Sequence, residues 1–183
     1  TGDLAIRSEG SYQRPQIDVN YASTAGQGES GNLILWARGD LTITDAIVSA
    51  TAISGDGGYV AIGTTRPDAP YRVKRQTLMP RRLMIERSEI AAESEQGNGG
   101  WVLLHADELV GVRHGRLAAS ARGNGGRIDI DPDVVVIDDV DVFARAELFD
   151  GGDIRVRGGM YLRSPESVFD VTSESGLDGS IRE

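Results

Sequence analysis

The feature that most constrains this chain is a recurring motif: a glycine turn followed at once by a short strand pattern of alternating apolar residues. The opening glycine is found seven times, and successive copies are 29, 27, 42, 26, 26 and 27 residues apart. Five of the six intervals agree within three residues, so we interpret the interval of 42 as one repeat carrying about 15 inserted residues. The opening glycines are Gly2, Gly31, Gly58, Gly100, Gly126, Gly152 and Gly179.

Each repeat holds two further strand patterns after the one that follows the glycine. Residues 82–86 and 89–92 are examples of the second and third patterns in one repeat. The apolar period is two throughout, which is typical of strands, and no stretch shows the helical period of 3.6. Three strands of about five residues and three turns make one coil of a β-solenoid, whose coils bury their inner faces by stacking. The sequence therefore predicts an all-β, three-strand parallel β-helix of about six to seven coils of 26–29 residues, a single domain over 1–183 with a loop insertion at about 64–81.

Aligning the copies assigns an inside and an outside to each glycine strand. The second and fourth residues after the glycine should point inward as aliphatic ladders, and Glu183 takes such a position in the last copy. The outward positions carry opposite charges in neighbouring C-terminal copies, where we expect Arg127 to pair with Asp153 and Asp129 with Arg155. The predicted inner pairs are Leu4/Ile6, Leu33/Leu35, Val60/Ile62, Val102/Leu104, Ile128/Ile130 and Ile154/Val156.

In the N-terminal copies the same outward positions form an apolar stripe. An exposed stripe of this kind is either covered by another part of the chain or binds a partner. The insertion at 64–81 leaves the coil beside the stripe and could cover it; an exposed ligand or partner site is the alternative. The stripe consists of Ile34, Tyr59, Ala61, Trp101 and Leu103.

The insertion also concentrates cations in a chain whose net charge is −9. Such a cluster could bind an acidic glycan or a neighbouring subunit, and a solvated basic loop is the alternative. Combined with the two aromatic residues of the stripe, the insertion gives the candidate partner-binding set. That set is Tyr59, Trp101, Arg72, Lys74, Arg75 and Arg81.

Six aspartates lie close together in the sequence between residues 129 and 141. They could bind Ca²⁺, which prefers six to eight oxygen ligands, or serve as acids and bases in polysaccharide cleavage. The spacing does not match an EF-hand loop, and aspartate is a normal turn residue, so we expect a structural role. His105 and His114 have no serine or cysteine at a telling spacing, and we expect both at the surface. We therefore predict no catalytic, cofactor-binding or metal-binding residue, with Ca²⁺ left as the alternative.

Composition excludes several classes of protein. The chain has no cysteine, which rules out disulfide scaffolds and zinc fingers with cysteine ligands. No apolar run approaches the roughly 18 residues of a membrane helix, so we expect no membrane insertion. The acidic balance argues against nucleic-acid binding.

The 24 glycines recur at predicted corners, as in 96–100 and 122–126, where we expect positive φ angles.

Solenoids normally carry caps that protect their ends. Neither end of this sequence shows a helix or a polar plug. The absence of a predicted cap would fit a piece of a longer rod, and it would also fit copies that stack end to end.

The second half of the chain resembles large haemagglutinin-like exoproteins of the filamentous haemagglutinin type, which are exported by two-partner secretion. The resemblance lies in GNGGRIDIDPDVVV at 123–136, GGDIRV at 151–156 and SPESVFDVTSESGLDGSI at 164–181, and it covers about 96–182. It implies a right-handed parallel β-helix, an outer-membrane transporter of the two-partner type as a partner, and an adhesive role at the bacterial cell surface. The family's N-terminal secretion domain is not visible in this sequence.

These expectations combine into a structural and adhesive rod segment that is secreted, is not an enzyme, and binds a cell-surface or glycan ligand through its loops. Two other functions stay open. One is a carbohydrate-active β-helix enzyme, which carboxylates converging with Lys or Arg in one groove across adjacent coils would favour. The other is a self-assembling extracellular filament subunit.

Overall fold

The chain is all-β. A computed structural model describes residues 4–7, 16–18, 31–35, 37, 39–63 and 79–183, with the backbone alone described for the first two ranges. Within these ranges there is no helix, and hence none long and apolar enough to cross a membrane. The strands are β1 (Leu4–Arg7), β2 (Gln16–Asp18), β3 (Leu33–Leu35), β4 (Leu41–Thr44), β5 (Ile47–Ser49), β6 (Tyr59–Ile62), β7 (Arg82–Glu86), β8 (Glu89–Ala91), β9 (Trp101–His105), β10 (Leu109–Ala118), β11 (Arg127–Asp131), β12 (Val134–Phe143), β13 (Asp153–Val156), β14 (Met160–Arg163), β15 (Val168–Asp170) and β16 (Ser180–Arg182).

Parallel pairing arranges these strands as a β-solenoid. One sheet has six strands in the order β16-β13-β11-β9-β6-β3, and the other has ten. Each strand of the six-stranded sheet pairs in parallel with its copy one turn later in the chain. Six strands make five steps, so the described residues form about five turns.

The predicted repeat is confirmed in the six-stranded sheet. Its register aligns Leu33, Val60, Val102, Ile128 and Ile154 in one ladder, with Ile181 last. The spacings between successive members are those of the glycines from Gly31 onward, including the interval of 42. An interval of 42 also separates the paired β4 and β7, and β5 and β8. The inserted residues therefore leave the register unchanged on both sides of them.

The first predicted copy is placed wrongly by the sequence. Leu4 and Ile6 of β1 pair with Leu41 and Ile43 of β4 in the ten-stranded sheet, not with Leu33 and Leu35. Alternation alone does not distinguish one inner ladder from another, because every strand shows the same period of two. The predicted count of six to seven coils included this copy and is not confirmed.

The aliphatic ladders form one continuous core, as predicted. Burying one such side chain completely contributes about 1.5–3 kcal/mol, so a ladder that repeats at every turn stabilises each coil against the next. Members of the core that are fully buried include Leu41, Ile43, Ile62, Leu83, Ile85, Ile90, Leu104, Leu117, Ile128, Ile130 and Ile154.

Close stacking requires four of the opening glycines, Gly100, Gly126, Gly152 and Gly179. A Cβ on Gly126 would lie 2.0 Å from the carbonyl oxygen of Gly100, and a Cβ on Gly152 would lie 2.1 Å from that of Gly126. The expected positive φ is not found at these glycines. In the described residues the only glycines with positive φ are Gly55 and Gly63. Glycine is needed here because successive backbones approach too closely for any side chain.

Polar side chains tie the turns before these glycines together. Asn98 donates from its backbone and its side chain to Asp56 Oδ1, at 2.8 and 3.0 Å. Asn124 donates in the same way to Asn98 Oδ1, at 2.9 and 2.8 Å. The backbone N–H of Asp150 donates to Asn124 Oδ1 at 3.2 Å. The turns are thus joined from coil to coil by a ladder of Asn and Asp side chains, which fixes their register.

A second corner uses four residues other than glycine, of which the sequence marked only Asp139 as a turn residue. Asp45, Arg87, His114 and Asp139 have φ values of 52, 47, 50 and 54°, in the left-handed region that only a few per cent of non-glycine residues adopt. His114 divides β10 into Leu109–Arg113, which pairs with β7, and Arg116–Ala118, which pairs with β8. The Arg87 guanidinium donates two hydrogen bonds to the Asp45 carboxylate, at 2.8 and 2.9 Å. The bend is therefore stabilised across coils by paired charges.

The inner ladder changes character in the last coil. Tyr161 and Arg163 of β14 are in register with the buried Val135 and Ile137. Both donate to Glu183 Oε1, at 3.2 and 2.9 Å, and Arg163 lies 5.0 Å from the ring centroid of Phe169. Burial, followed by the negative charge of Glu183, raises the pKa of Tyr161 above its ordinary value. The inner positions of this coil therefore carry polar groups that hydrogen-bond one another.

Candidate functional site

The outer face of the six-stranded sheet carries the predicted aromatic residues. We define the outer face as the outward-pointing side chains of β6, β9, β11 and β13. Tyr59 and Trp101 are opposite each other in register, and Arg127 follows Trp101 in the next strand. The structure therefore brings Tyr59, Trp101 and Arg127 into one row along the rod axis, with about 4.8 Å between neighbours.

Trp101 is the exposed member of this row. Its residue exposure is 39%, and the Arg127 guanidinium lies 5.7 Å from its ring centroid, within the range of a cation–π contact. Tyr59 is half-buried, and its backbone N–H donates to Asn32 Oδ1 at 3.2 Å. The row offers an aromatic surface with an adjacent cation, which is typical of binding sites for polar ligands with a flat apolar side.

Part of the outer face is covered. Ala61, Leu103 and His105 point away from the core, yet their exposures are only 0, 3 and 2%. The prediction that 64–81 covers the stripe concerns a segment of which 64–78 lie outside the described residues. His105 was expected at the surface, and its burial makes that expectation wrong. It belongs to the covered part of the face.

The charges on the outer face follow the predicted register but pair differently. Arg127 is opposite Asp153 and Asp129 is opposite Arg155, as expected. The ion pairs nevertheless form along each strand, from Arg127 to Asp129 at 2.5 Å and from Arg155 to Asp153 at 2.9 Å. Residues two apart on a strand share a face, so this pairing competes with the one between strands.

Two carboxylates of this patch differ in their surroundings. Asp129 is 4% exposed, and its Oδ2 lies 3.5 Å from Arg157 as well as near Arg127. Asp153 accepts a hydrogen bond from the Ser180 hydroxyl, which is the main cause that lowers the pKa of Asp153, with Arg155 contributing further. Both carboxylates therefore lie beside guanidinium groups, and Asp153 is the one whose pKa is lowered.

The predicted basic residues do not join Tyr59 and Trp101. Arg81 lies 3.4 Å from Asp40 and 3.8 Å from Glu108, and Glu108 follows the end of β9, whereas Trp101 begins it. A rise of about 3.3 Å per residue places the two ends of β9 about 13 Å apart. Arg72, Lys74 and Arg75 lie outside the described residues. The structure therefore brings Tyr59 and Trp101 together and separates Arg81 from them.

The aspartates between 129 and 141 do not converge. Across the described ranges, no three His, Cys, Asp or Glu side chains lie close enough together to hold a metal ion. Asp131 lies 3.6 Å from Arg157, and Asp139 lies 3.1 Å from His114 Nδ1 at the left-handed corner. These two aspartates therefore contact basic side chains of neighbouring coils instead of each other.

The sequence interpretation missed a groove elsewhere on the surface. It has a volume of about 510 Å³ and lies beside the ends of β8, β10 and β12. Burial alone would lower the pKa of Arg116, which lines it, but hydrogen bonds to Glu93 and Glu89 raise that pKa above its ordinary value. Extending the repeat alignment beyond the third strand would have placed the lining residues in one row.

No protein-family model, curated protein or solved structure matches this chain.

Proposed function

We propose that this chain is a structural and adhesive rod segment of a secreted bacterial surface exoprotein, which binds a partner through its surface and catalyses no reaction. We also propose that each coil contributes three strands of a right-handed parallel β-helix. The observation that carries the proposal is the parallel solenoid itself, with a continuous aliphatic core and the exposed Trp101 beside Arg127 on its outside. A stiff rod of this kind holds surface groups at fixed spacing away from its base.

Binding by the outer face is tested with fluorescently labelled full chain on cultured epithelial cells. Exposed aromatic residues often dominate binding energy, so Trp101→Ala should reduce the amount of bound protein about tenfold at subsaturating concentration. Met160→Ala is the matched control, since Met160 is 55% exposed but lies on β14 in the other sheet. Equal binding of wild type and Trp101→Ala, or no binding of either, would contradict the adhesive role of this face.

Export through a two-partner outer-membrane transporter and location at the cell surface are part of the same proposal. Their support is the resemblance of residues 96–182 to haemagglutinin-like exoproteins. A transporter gene of that type next to the gene for this chain would favour the proposal. Retention of the chain inside cells that express the transporter would count against it.

A carbohydrate-active enzyme is the second candidate, and the groove is the observation that favours it. Glu93, Glu147 and Glu174 line the groove together with Arg116 and Arg145, and they come from neighbouring coils. Both arginines are engaged, Arg116 with Glu93 at 2.7 Å and Arg145 with Asp170 at 2.6 Å. Release of reducing ends from a polysaccharide such as β-1,4-linked glucan or mannan by this chain would replace the non-catalytic proposal with the enzymatic one.

A filament subunit is the third candidate. The charged side chains of Arg163 and Glu183 lie where an aliphatic ladder would otherwise continue, which disfavours direct stacking of an apolar coil on this one. Light scattering that shows growth of assemblies with concentration would support the filament, and a monomer at high concentration would oppose it.

A further inference from the structure

The groove beside β8, β10 and β12 extends along the rod axis. One row of residues, each two positions beyond the buried end of a strand, contributes to it from five successive coils. Isolated parallel bridges at the next residue, from Ala52 to Ser94 and onward to Ser173, fix the register of this row. Four steps of about 4.8 Å give a length of about 19 Å. The row is Thr51, Glu93, Ser120, Arg145 and Thr172.

A fixed guanidinium forms part of the groove wall. Arg145 lies 3.7 Å from the ring centroid of the half-buried Phe143, and its Nε donates to Asp170 Oδ2 at 2.6 Å. The side chain of Arg145 is still 45% exposed. Stacking below and an ion pair at one edge hold the planar group in place, so it presents a flat, polar surface with little entropy left to lose on binding.

A second guanidinium is fixed in the same manner. Arg116 donates to Glu89 at 2.6 Å and to Glu93 at 2.7 and 3.1 Å. Ser120 accepts from the backbone N–H of Arg145 at 3.1 Å. The groove therefore presents both donors and acceptors, and contacts within the protein set the positions of Arg116 and Arg145.

The balance of charge in the groove indicates the class of ligand. Three arginines and four glutamates line it, which leaves a formal charge of −1. A polyanion such as a nucleic acid or a sulfated glycan requires an excess of cations, which this groove lacks. Hydroxyl groups both donate and accept hydrogen bonds, so they match a lining that holds both carboxylates and guanidiniums.

We propose that this groove is a binding site for an extended neutral polysaccharide. The spacing between neighbouring coils is close to the length of one hexose in an extended polysaccharide, so successive sugars would contact successive coils. The Arg145 plane supports a sugar ring, and Glu93, Arg122, Glu147 and the threonine hydroxyls bind its hydroxyl groups. The volume is also within the 300–1,000 Å³ typical of small-ligand sites. This site is separate from the outer face and does not depend on the adhesive role proposed for Trp101.

Isothermal titration calorimetry on the full chain tests the proposal, with three hexasaccharides as probes: β-1,4-linked glucan, β-1,4-linked mannan and heparin. At least one neutral probe should bind. Arg145→Ala and Glu147→Gln should each weaken that binding about tenfold, because each removes one charge-assisted contact. Glu147 has only a distant partner, Arg122 at 3.9 Å, so Glu147→Gln is expected to fold normally.

Arg82→Ala is the matched control, since Arg82 is an exposed arginine paired with Asp40 at 2.8 Å outside the groove. It should bind the neutral probe as the wild type does. Binding of heparin alone, binding of no neutral probe, or equal affinity of Glu147→Gln and wild type would each overturn the proposal. Cleavage of a bound probe would refute the non-catalytic rod but leave the groove assignment intact, so the two failures are distinguishable.

Discussion

Replacing Gly126 with alanine tests whether close backbone stacking requires the glycine at the start of each coil. The new Cβ would lie 2.0 Å from Gly100 O, 2.8 Å from Gly99 C and 2.9 Å from Ala119 O. These are all backbone atoms, so no side-chain rotation can relieve the overlap. Ordinary contact begins at 3.4 Å, and the two coils would have to separate by more than 1 Å.

That separation would break the hydrogen bond that joins the coils here and would strain the bond that closes the turn. The N–H of Arg127 donates to Gly100 O in the preceding coil at 2.9 Å, and the N–H of Gly126 donates to Ala119 O across its own turn at 2.7 Å. Each lost bond between buried groups costs about 1–3 kcal/mol, and residual overpacking costs about 1–3 kcal/mol more. We therefore expect Gly126→Ala to lower the free energy of unfolding by about 3–5 kcal/mol.

Urea denaturation followed by far-ultraviolet circular dichroism measures this change, with the slope of the transition checked for equality between variants. Gly159→Ala is the control, since the nearest atom to its added Cβ is Asp133 O at 3.5 Å. Its unfolding free energy should change by no more than about 0.5 kcal/mol. A cost below about 1 kcal/mol for Gly126→Ala would refute the argument from close stacking.

Two further predictions concern the core and the charged patch. Ile128→Ala should lower the free energy of unfolding, measured by urea denaturation, by about 2–5 kcal/mol because it leaves a cavity in the inner ladder. Val136→Ala, at a half-buried outward position, should lower it by less than about 1 kcal/mol. Similar losses for the two variants would contradict the assignment of inside and outside. Ser180→Ala should raise the lowered pKa of Asp153 toward its ordinary 3.8. A lowered pKa adds stability that is fully present above about pH 3.8 and is lost as the pH falls through the folded-state value, so the difference in unfolding free energy between wild type and Ser180→Ala should narrow below pH 4. A difference that is constant with pH would contradict the role of this hydrogen bond.

Much of the fold could be predicted from the sequence because it repeats. The alternation that places Val102 and Leu104 inside recurs at each coil, and the glycine before it marks the start of the strand. The left-handed corner could be predicted only in part, since aspartate and histidine are enriched at positive φ whereas Arg87 has no such preference. Their conformation is imposed by the bend between paired segments of neighbouring coils.

The candidate sites also include residues whose placement the repeat predicts and residues whose placement it does not. The adjacency of Tyr59 and Trp101 follows directly from the repeat, because both are the first residue after the glycine. The groove was missed since its charged residues lie beyond the third strand pattern, where the sequence alignment was not extended. Arg81 was grouped with the aromatic residues by nearness in sequence, and the structure places it beside Asp40 and Glu108, near the opposite end of β9 from Trp101.

The insertion has a consequence for how such a rod can change over evolutionary time. Gly63, with a φ of 80°, and Pro80 bracket it, and a Cβ on Gly63 would lie 2.9 Å from Pro80 Cδ, so the chain leaves and re-enters the solenoid at nearly the same point. The entropy of closing a loop grows only slowly with its length, by about 0.6 kcal/mol for each doubling. The corner between Gly63 and Pro80 therefore works as an attachment point. Segments of different length and chemistry can be exchanged there while the coils on either side keep their sequence and their register.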